Sequence, residues 1–135
     1  RRITRGAAAV KLGLAHEVVL GDLEAVRDWS FAGDVMRGAW LMLQRDEPGD
    51  YILASGQPHT VGDLAGTAFA HLGLTAAEHI RIDPQLVRPP EPTRLIGDPT
   101  KARAELGWQP QLTFTQLVER MVDADLKELM RDARP

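Results

Sequence analysis

Arg27-Asp28-Trp29 and Arg88-Pro89-Pro90-Glu91 are the two stretches of this chain with the residue types to hold an anion. Arginine presents a planar, permanently charged fork of donors, which suits a phosphate. Arg27 lies in a polar loop that leaves an apolar run at Leu20-Gly21-Asp22 and reaches a helix near Asp34. Arg88 precedes a proline, so its backbone is biased to extended geometry and its side chain is presented from a stiff segment. Together they outline an anion site. Each also has a plainer account: Arg27 as a surface arginine paired with Asp28 or Glu24, Arg88 as a loop arginine, Glu91 as a solvated charge. Nothing in the chain looks like chemistry that would act on a bound anion.

The other polar side chains are read as structural. His16, His59, His71 and His79 lack metal-ligand spacing and are expected on helix and loop surfaces. Glu119, Asp123 and Asp125 are expected on a solvated helix face. Trp29, Trp40 and Trp108 are expected at core or turn positions. A chain of 135 residues with 44% hydrophobic and 26% charged residues has the size and composition of one globular domain. A net charge of −3 disfavours a nucleic-acid surface, so an anion site must be local. There is no cysteine, which removes disulfides and thiolate metal sites and fits a cytoplasmic protein. No apolar run approaches the roughly 20 residues that span a bilayer.

The elements that must position these residues follow from periodicity and caps. Ile3, Ala7, Val10 and Leu14 give a helix over 2–12, closed by Gly13. Val18-Val19-Leu20 is a short strand. Val35 to Leu43 is a helix with Asp34 as its expected cap. Pro48-Gly49-Asp50 is a turn. Tyr51-Ile52-Leu53-Ala54 is apolar throughout, as in a strand covered on both faces. Thr60 and Asp63 form a capping pair for a helix to Leu72, and Gly73 ends it. Ile80-Arg81-Ile82-Asp83 alternates like a strand, and Pro84 to Pro92 is too rich in proline for a regular element. Asp98-Pro99 starts a helix that stops at Leu106-Gly107. Thr113 and Gln116 form a capping box for a last amphipathic helix through Leu117, Val118, Met121, Val122 and Leu126. The order is α/β. Two or three short strands make a poor sheet, so the Tyr51–Ala54 run is expected to be completed by residues this chain lacks.

Several segments occur together in one order. They are the Leu20–Asp34 loop, Tyr51-Ile52-Leu53-Ala54-Ser55-Gly56, Arg88-Pro89-Pro90-Glu91, and Gly97-Asp98-Pro99-Thr100-Lys101-Ala102 through Leu106-Gly107-Trp108-Gln109-Pro110. This resembles the C-terminal part of the extended short-chain dehydrogenase/reductases that act on nucleotide sugars. Lys11-Leu12-Gly13-Leu14, Trp40-Leu41-Met42-Leu43-Gln44, Asp46-Glu47-Pro48 and Met121-Val122-Asp123-Ala124-Asp125-Leu126 narrow the resemblance to the GDP-mannose 4,6-dehydratase family. It implies that residues 1–135 are the C-terminal nucleotide-sugar-binding portion. A helix and strand within 32–56 would pack on an N-terminal Rossmann domain absent from this chain and join its sheet.

The resemblance further implies residue roles. Arg27 and Arg88 would reach the diphosphate of the nucleotide sugar, and Glu91 would accept from the ribose hydroxyls. Arg2 stands where the family usually has lysine in a stretch lining the guanosine-sugar site, although a frayed terminal arginine is an equal reading. Leu20 and Gly21 match a Leu-Gly-Asn stretch near the base, with Asp22 in place of asparagine; the plainer reading is a turn. The substrate would be GDP-mannose and the cofactor NADP, both used by a cytoplasmic, homo-oligomeric lyase. That enzyme would remove hydride from C4 of the mannosyl ring, eliminate water across C5 and C6, and return hydride to C6. The family's glycine-rich turn and Tyr-x-x-x-Lys pair have no match here. Tyr51 is the single tyrosine and residue 55 is serine. Lys11, Lys101 and Lys127 are expected to have no tyrosine partner. No catalytic, cofactor or metal residue is therefore assigned, and the chain by itself is expected to bind no NADP and to be inactive. The alternatives are the C-terminal part of another nucleotide-sugar reductase or epimerase, or a free-standing binding module.

Overall fold

The computed structural model describes residues 1–87 and 95–133. The chain divides into two compact units. The first takes Arg1–Ala25, Thr60–Pro92 and Val118–Pro135; the second takes Val26–His59 and Thr93–Leu117.

In the first unit, helix α1 (Arg2–Lys11) buries Thr4, Ala7 and Ala8 and packs on helix α3 (Val61–His71), which buries Leu64, Ala65, Ala68 and Phe69. The alanines keep the two backbones close, and α3 supplies the bulk through Phe69, fully buried. Strand β1 (Val18–Leu20) lies against α1. Gly6 permits this approach, because a Cβ there would sit 2.5 Å from Val18 Cγ2. Strand β4 (Ile80–Ile82) pairs with β1 in parallel, Val18 opposite Ile80 and Leu20 opposite Ile82. A short helix, α4 (Ala76–His79), leads into β4 and packs on α3. Helix α6 (Phe114–Asp132) gives this unit Val118 and Val122, both buried.

The capping box of α3 forms as the sequence predicts. The Thr60 hydroxyl accepts from Asp63 N–H at 2.9 Å, and the Asp63 carboxylate accepts from Thr60 N–H at 2.8 Å. The box that opens α6 also forms, with Thr113 N–H donating to Gln116 at 2.9 Å and Gln116 N–H donating back at 3.3 Å.

The second unit holds strand β2 (Val26–Asp28), paired with β3 (Pro58–Thr60), and helix α2 (Ala32–Leu43), packed on α5 (Thr100–Leu106). Trp108 is fully buried, and its indole N–H donates to the Asp34 carbonyl at 2.7 Å. Gly38 admits this packing, since a Cβ there would lie 2.6 Å from Leu53 Cδ1 and 2.9 Å from Trp108 Nε1. Gly107 ends α5 in the left-handed region, φ 60°, where a Cβ is disfavoured.

Several expectations are corrected. Asp34 does not cap α2. Phe31 holds the N-cap position, and Asp34 is buried inside the first turn, its carboxylate accepting from Gln111 N–H at 2.9 Å. A buried carboxylate is better satisfied by those backbone donors than by a helix end that water already reaches. Pro99, not Asp98, holds the N-cap of α5, and Asp98 accepts from Thr100 one residue further out. The Leu20–Asp34 loop contains β2, whose Val26-Arg27-Asp28 lacks an apolar alternation to announce a strand. Tyr51–Ala54 forms no strand ladder among the described residues, in keeping with the expectation that it lacks partners within this chain. The segment after Ile82 does include a regular turn, the 3-10 helix Pro84–Leu86. Trp40 is 59% exposed rather than packed. Asp125 is 2% exposed, not on a solvated face, because the Thr4 hydroxyl donates to it at 2.7 Å and Arg1 at 3.1 Å.

Candidate functional site

Strand β2 sets the position of Arg27. Side chains alternate along a strand, so Arg27 faces away from Val26 and Asp28. The Arg27 guanidinium donates to the Val26 carbonyl at 2.7 Å, and the side chain is half-buried. Asp28 faces the loops behind the strand. One of its oxygens accepts from Ser55 N–H at 3.1 Å and from the Ser55 hydroxyl at 2.5 Å. The other accepts from Gly56 N–H at 2.9 Å and Gly97 N–H at 3.2 Å. Asp28 is therefore not an ion-pair partner reserved for Arg27; its carboxylate is filled by four donors from two loops.

Beside these loops lies a cleft of about 490 Å³, lined by Ser55, Gly56, Gly97, Asp98, Thr100 and Arg103 among others. Gly97 has no room for a side chain, as a Cβ would come within 2.3 Å of Ala54 Cβ. Arg103 donates to the Ser55 carbonyl at 3.3 Å. The Thr100 hydroxyl, and then the Thr100 N–H, hold the Asp98 carboxyl below the usual aspartate range. Trp29, on the residue after Asp28, packs against Phe114 with ring centroids 5.8 Å apart. His59 stacks on the same Phe114 at 3.7 Å, so this histidine is a packing residue.

In the first unit, Leu20 is buried in β1 and its carbonyl accepts from Asp83 N–H at 2.8 Å. Gly21 follows it, and a Cβ there would lie 2.5 Å from the Leu86 carbonyl oxygen. Close backbone approach, rather than turn geometry, requires glycine at this position. Asp22 makes a local turn, accepting from Glu24 N–H at 2.8 Å. Arg2 is exposed at the start of α1. Its neighbours Arg1 and Arg5 are engaged with Glu128, Arg5 at 2.7 Å. Leu20, Gly21 and Arg2 thus belong to the first unit and Arg27 to the second. Arg88 and Glu91 lie outside the described residues.

Lys101 does have a tyrosine neighbour, contrary to the sequence expectation: its ammonium lies 4.7 Å from the centre of the Tyr51 ring. The pair is not arranged for proton transfer. The ammonium covers the ring face, and the Tyr51 hydroxyl donates to Glu105 at 2.7 Å. That hydrogen bond holds the phenol above its ordinary value, the opposite of what a tyrosine base requires. The pair does not fit the hydride chemistry of a nicotinamide cofactor. Among the described residues no group of three His, Asp or Glu side chains could hold a metal ion, and no helix is long and apolar enough to cross a membrane.

A sequence model described as GDP-mannose 4,6 dehydratase matches residues 1–121. The chain belongs to the GDP-mannose 4,6-dehydratase family. Among members of the family, GDP-mannose 4,6 dehydratase 2 of Arabidopsis thaliana is 44% identical over 98% of this chain. Solved structures carry the same fold. A Pseudomonas aeruginosa protein in complex with NADPH aligns over 93% of the chain with a TM-score of 0.81 at 23% identity. A dTDP-glucose 4,6-dehydratase from Bacillus anthracis in complex with NAD aligns over 98% with a TM-score of 0.77 at 20% identity. The chain spans 35% of the Arabidopsis relative and 41% and 40% of these two structures. Family membership and fold agree with the resemblance read from the sequence, and neither favours the reductase, epimerase or free-standing alternatives.

Sequence reasoning singled out Arg27 and did not anticipate the four hydrogen bonds that Asp28 accepts. Its partners lie 27 to 69 positions away in the loops Ser55-Gly56 and Ile96-Gly97, so no local spacing signals them.

Proposed function

We propose that this chain is the nucleotide-sugar-binding portion of a GDP-mannose 4,6-dehydratase. The intact enzyme would be a cytoplasmic, homo-oligomeric lyase that uses NADP and converts GDP-mannose to GDP-4-keto-6-deoxymannose and water. The observation that carries the reading is the 44% identity to a GDP-mannose 4,6 dehydratase, sustained over 98% of the chain. Arg27, Arg88, Glu91, Arg2 and the Leu20-Gly21 stretch are the proposed substrate contacts. Two arginines can neutralise a diphosphate, and a carboxylate can accept from both hydroxyls of a ribose diol.

The chain contributes binding and orientation; proton and hydride transfer belong to residues outside it. Residues 32–56 are proposed to pack on the nucleotide-binding domain of the intact enzyme. Met36, Trp40 and Leu43 are 68%, 59% and 82% exposed and recur at helical spacing along α2. Ile52, in the apolar run without strand partners among the described residues, is 54% exposed. An apolar helix face beside an unpaired extended segment suits the edge of a larger sheet and its covering helix.

The test is an assay of the full-length protein with GDP-mannose and NADP, following the 4-keto product by mass spectrometry. Product from GDP-mannose is expected, with none from UDP-glucose. No turnover of GDP-mannose would reject the assignment. The 135-residue chain alone is expected to give no product, and turnover by it would place catalytic groups within this sequence.

A further inference from the structure

We infer that Asp28 is a positioning residue for nucleotide-sugar binding, acting through Arg27; the inference rests on the function proposed above. Its carboxylate receives four hydrogen bonds, from Ser55 N–H, the Ser55 hydroxyl, Gly56 N–H and Gly97 N–H, at 2.5–3.2 Å. These donors come from two loops more than 40 residues apart in sequence, 55–56 and 97. Gly56 adopts φ 74°, a conformation that turns its N–H toward the carboxylate, and Gly97 has no space for a Cβ. The two glycines and the serine therefore form a socket of donors, with Asp28 as its plug.

Arg27 is the next residue on β2 and faces the other side of the strand. A strand of three residues has few bonds of its own to hold its orientation. Anchoring Asp28 on one face therefore fixes the direction in which Arg27 leaves the other. An arginine held in one orientation loses less freedom on binding an anion than one that must be ordered by it.

Asp28→Asn is the informative change. The amide keeps the shape and one acceptor oxygen, and turns the other position into a donor facing N–H groups. We expect Asp28→Asn to weaken GDP-mannose binding by the full-length protein about tenfold by titration calorimetry. Arg27→Ala is expected to weaken it about 10- to 100-fold. In the Arg27→Ala background, adding Asp28→Asn should change affinity by less than about twofold, because its effect runs through the arginine. Ser55→Ala removes one of the four bonds, leaves the backbone donors in place and should give a smaller loss of about threefold. This variant tests the inference if Asp28→Asn does not fold. Equal losses from Asp28→Asn with and without Arg27, or no loss from either Asp28→Asn or Ser55→Ala, would overturn the positioning role. An unchanged affinity in Arg27→Ala would instead reject the proposed binding function on which it rests.

Discussion

At the scale of single residues, the difference between readable and unreadable side chains is the distance to their partners. Arg27 could be proposed from sequence because its chemistry is its own: a guanidinium after a polar loop suits an anion whatever surrounds it. The partner of Asp125 could not. Glu119 and Asp123, four residues apart on α6, do share a wetted face, and Asp123 meets His71 at 2.8 Å on the surface. Asp125 groups with them by charge, whereas its spacing of seven from Val118 and three from Val122 puts it on the buried face. It points inward to Thr4, 121 positions away. The helical period announces the buried face, but no local pattern names Thr4 as the partner. Its burial makes a prediction. Asp125→Ala takes from the buried Thr4 hydroxyl its shorter bond, leaving the Arg1 carbonyl at 3.2 Å as acceptor, and removes a partner of the Arg1 side chain, a loss of roughly 1–2 kcal/mol. The expected readout is a lower denaturation midpoint in urea at an unchanged slope. A change below about 0.5 kcal/mol would mean that the Arg1 carbonyl alone satisfies Thr4.

At the scale of elements, the caps were legible because they are local. Thr60 and Asp63 are three residues apart and bond to each other whatever the tertiary structure does. Thr60→Ala is accordingly expected to cost about 1 kcal/mol, seen as a few degrees in melting temperature, with Thr60→Ser restoring most of it. Strand β2 was illegible for the complementary reason. Three residues, one of them arginine and one aspartate, carry no alternation, and pairing with β3 alone makes them a strand. The join between α1 and α6 adds a dependence on pH. Hydrogen bonds from Arg1, then Arg5, hold the Glu128 carboxyl below the usual glutamate range. A depressed value means that the folded state favours the carboxylate. The contribution is then complete above the ordinary glutamate pKa, about 4.3, and is lost as pH falls through the depressed one. Glu128→Gln should therefore reduce the acid-side fall in stability, while leaving the profile above about pH 6 parallel to that of the parent. Superimposable profiles below pH 4 would show that this ion pair adds nothing.

At the scale of the whole molecule, the sequence supplied family and fold because a long ordered set of motifs carried them. It also supplied the idea that the Tyr51–Ala54 run is unfinished. That run has no ladder partner among the described residues, and the helix before it shows an apolar face to solvent through Met36, Trp40 and Leu43. The chain spans 35% of its Arabidopsis relative. If residues 32–56 pack on a nucleotide-binding domain, this face is covered in the full-length protein. A buried leucine contributes roughly 1.5–3 kcal/mol through its area alone, and a charge put in its place costs more. If the face remains open, exchange at an 82% exposed position is expected to stay within about 0.5 kcal/mol. Leu43→Lys in the full-length protein separates the two, since one calls for a loss of at least about 2 kcal/mol in stability and the other for almost none. A near-silent Leu43→Lys, with Met36→Lys equally silent, would remove the packing role proposed for α2 and leave its apolar stripe to another partner.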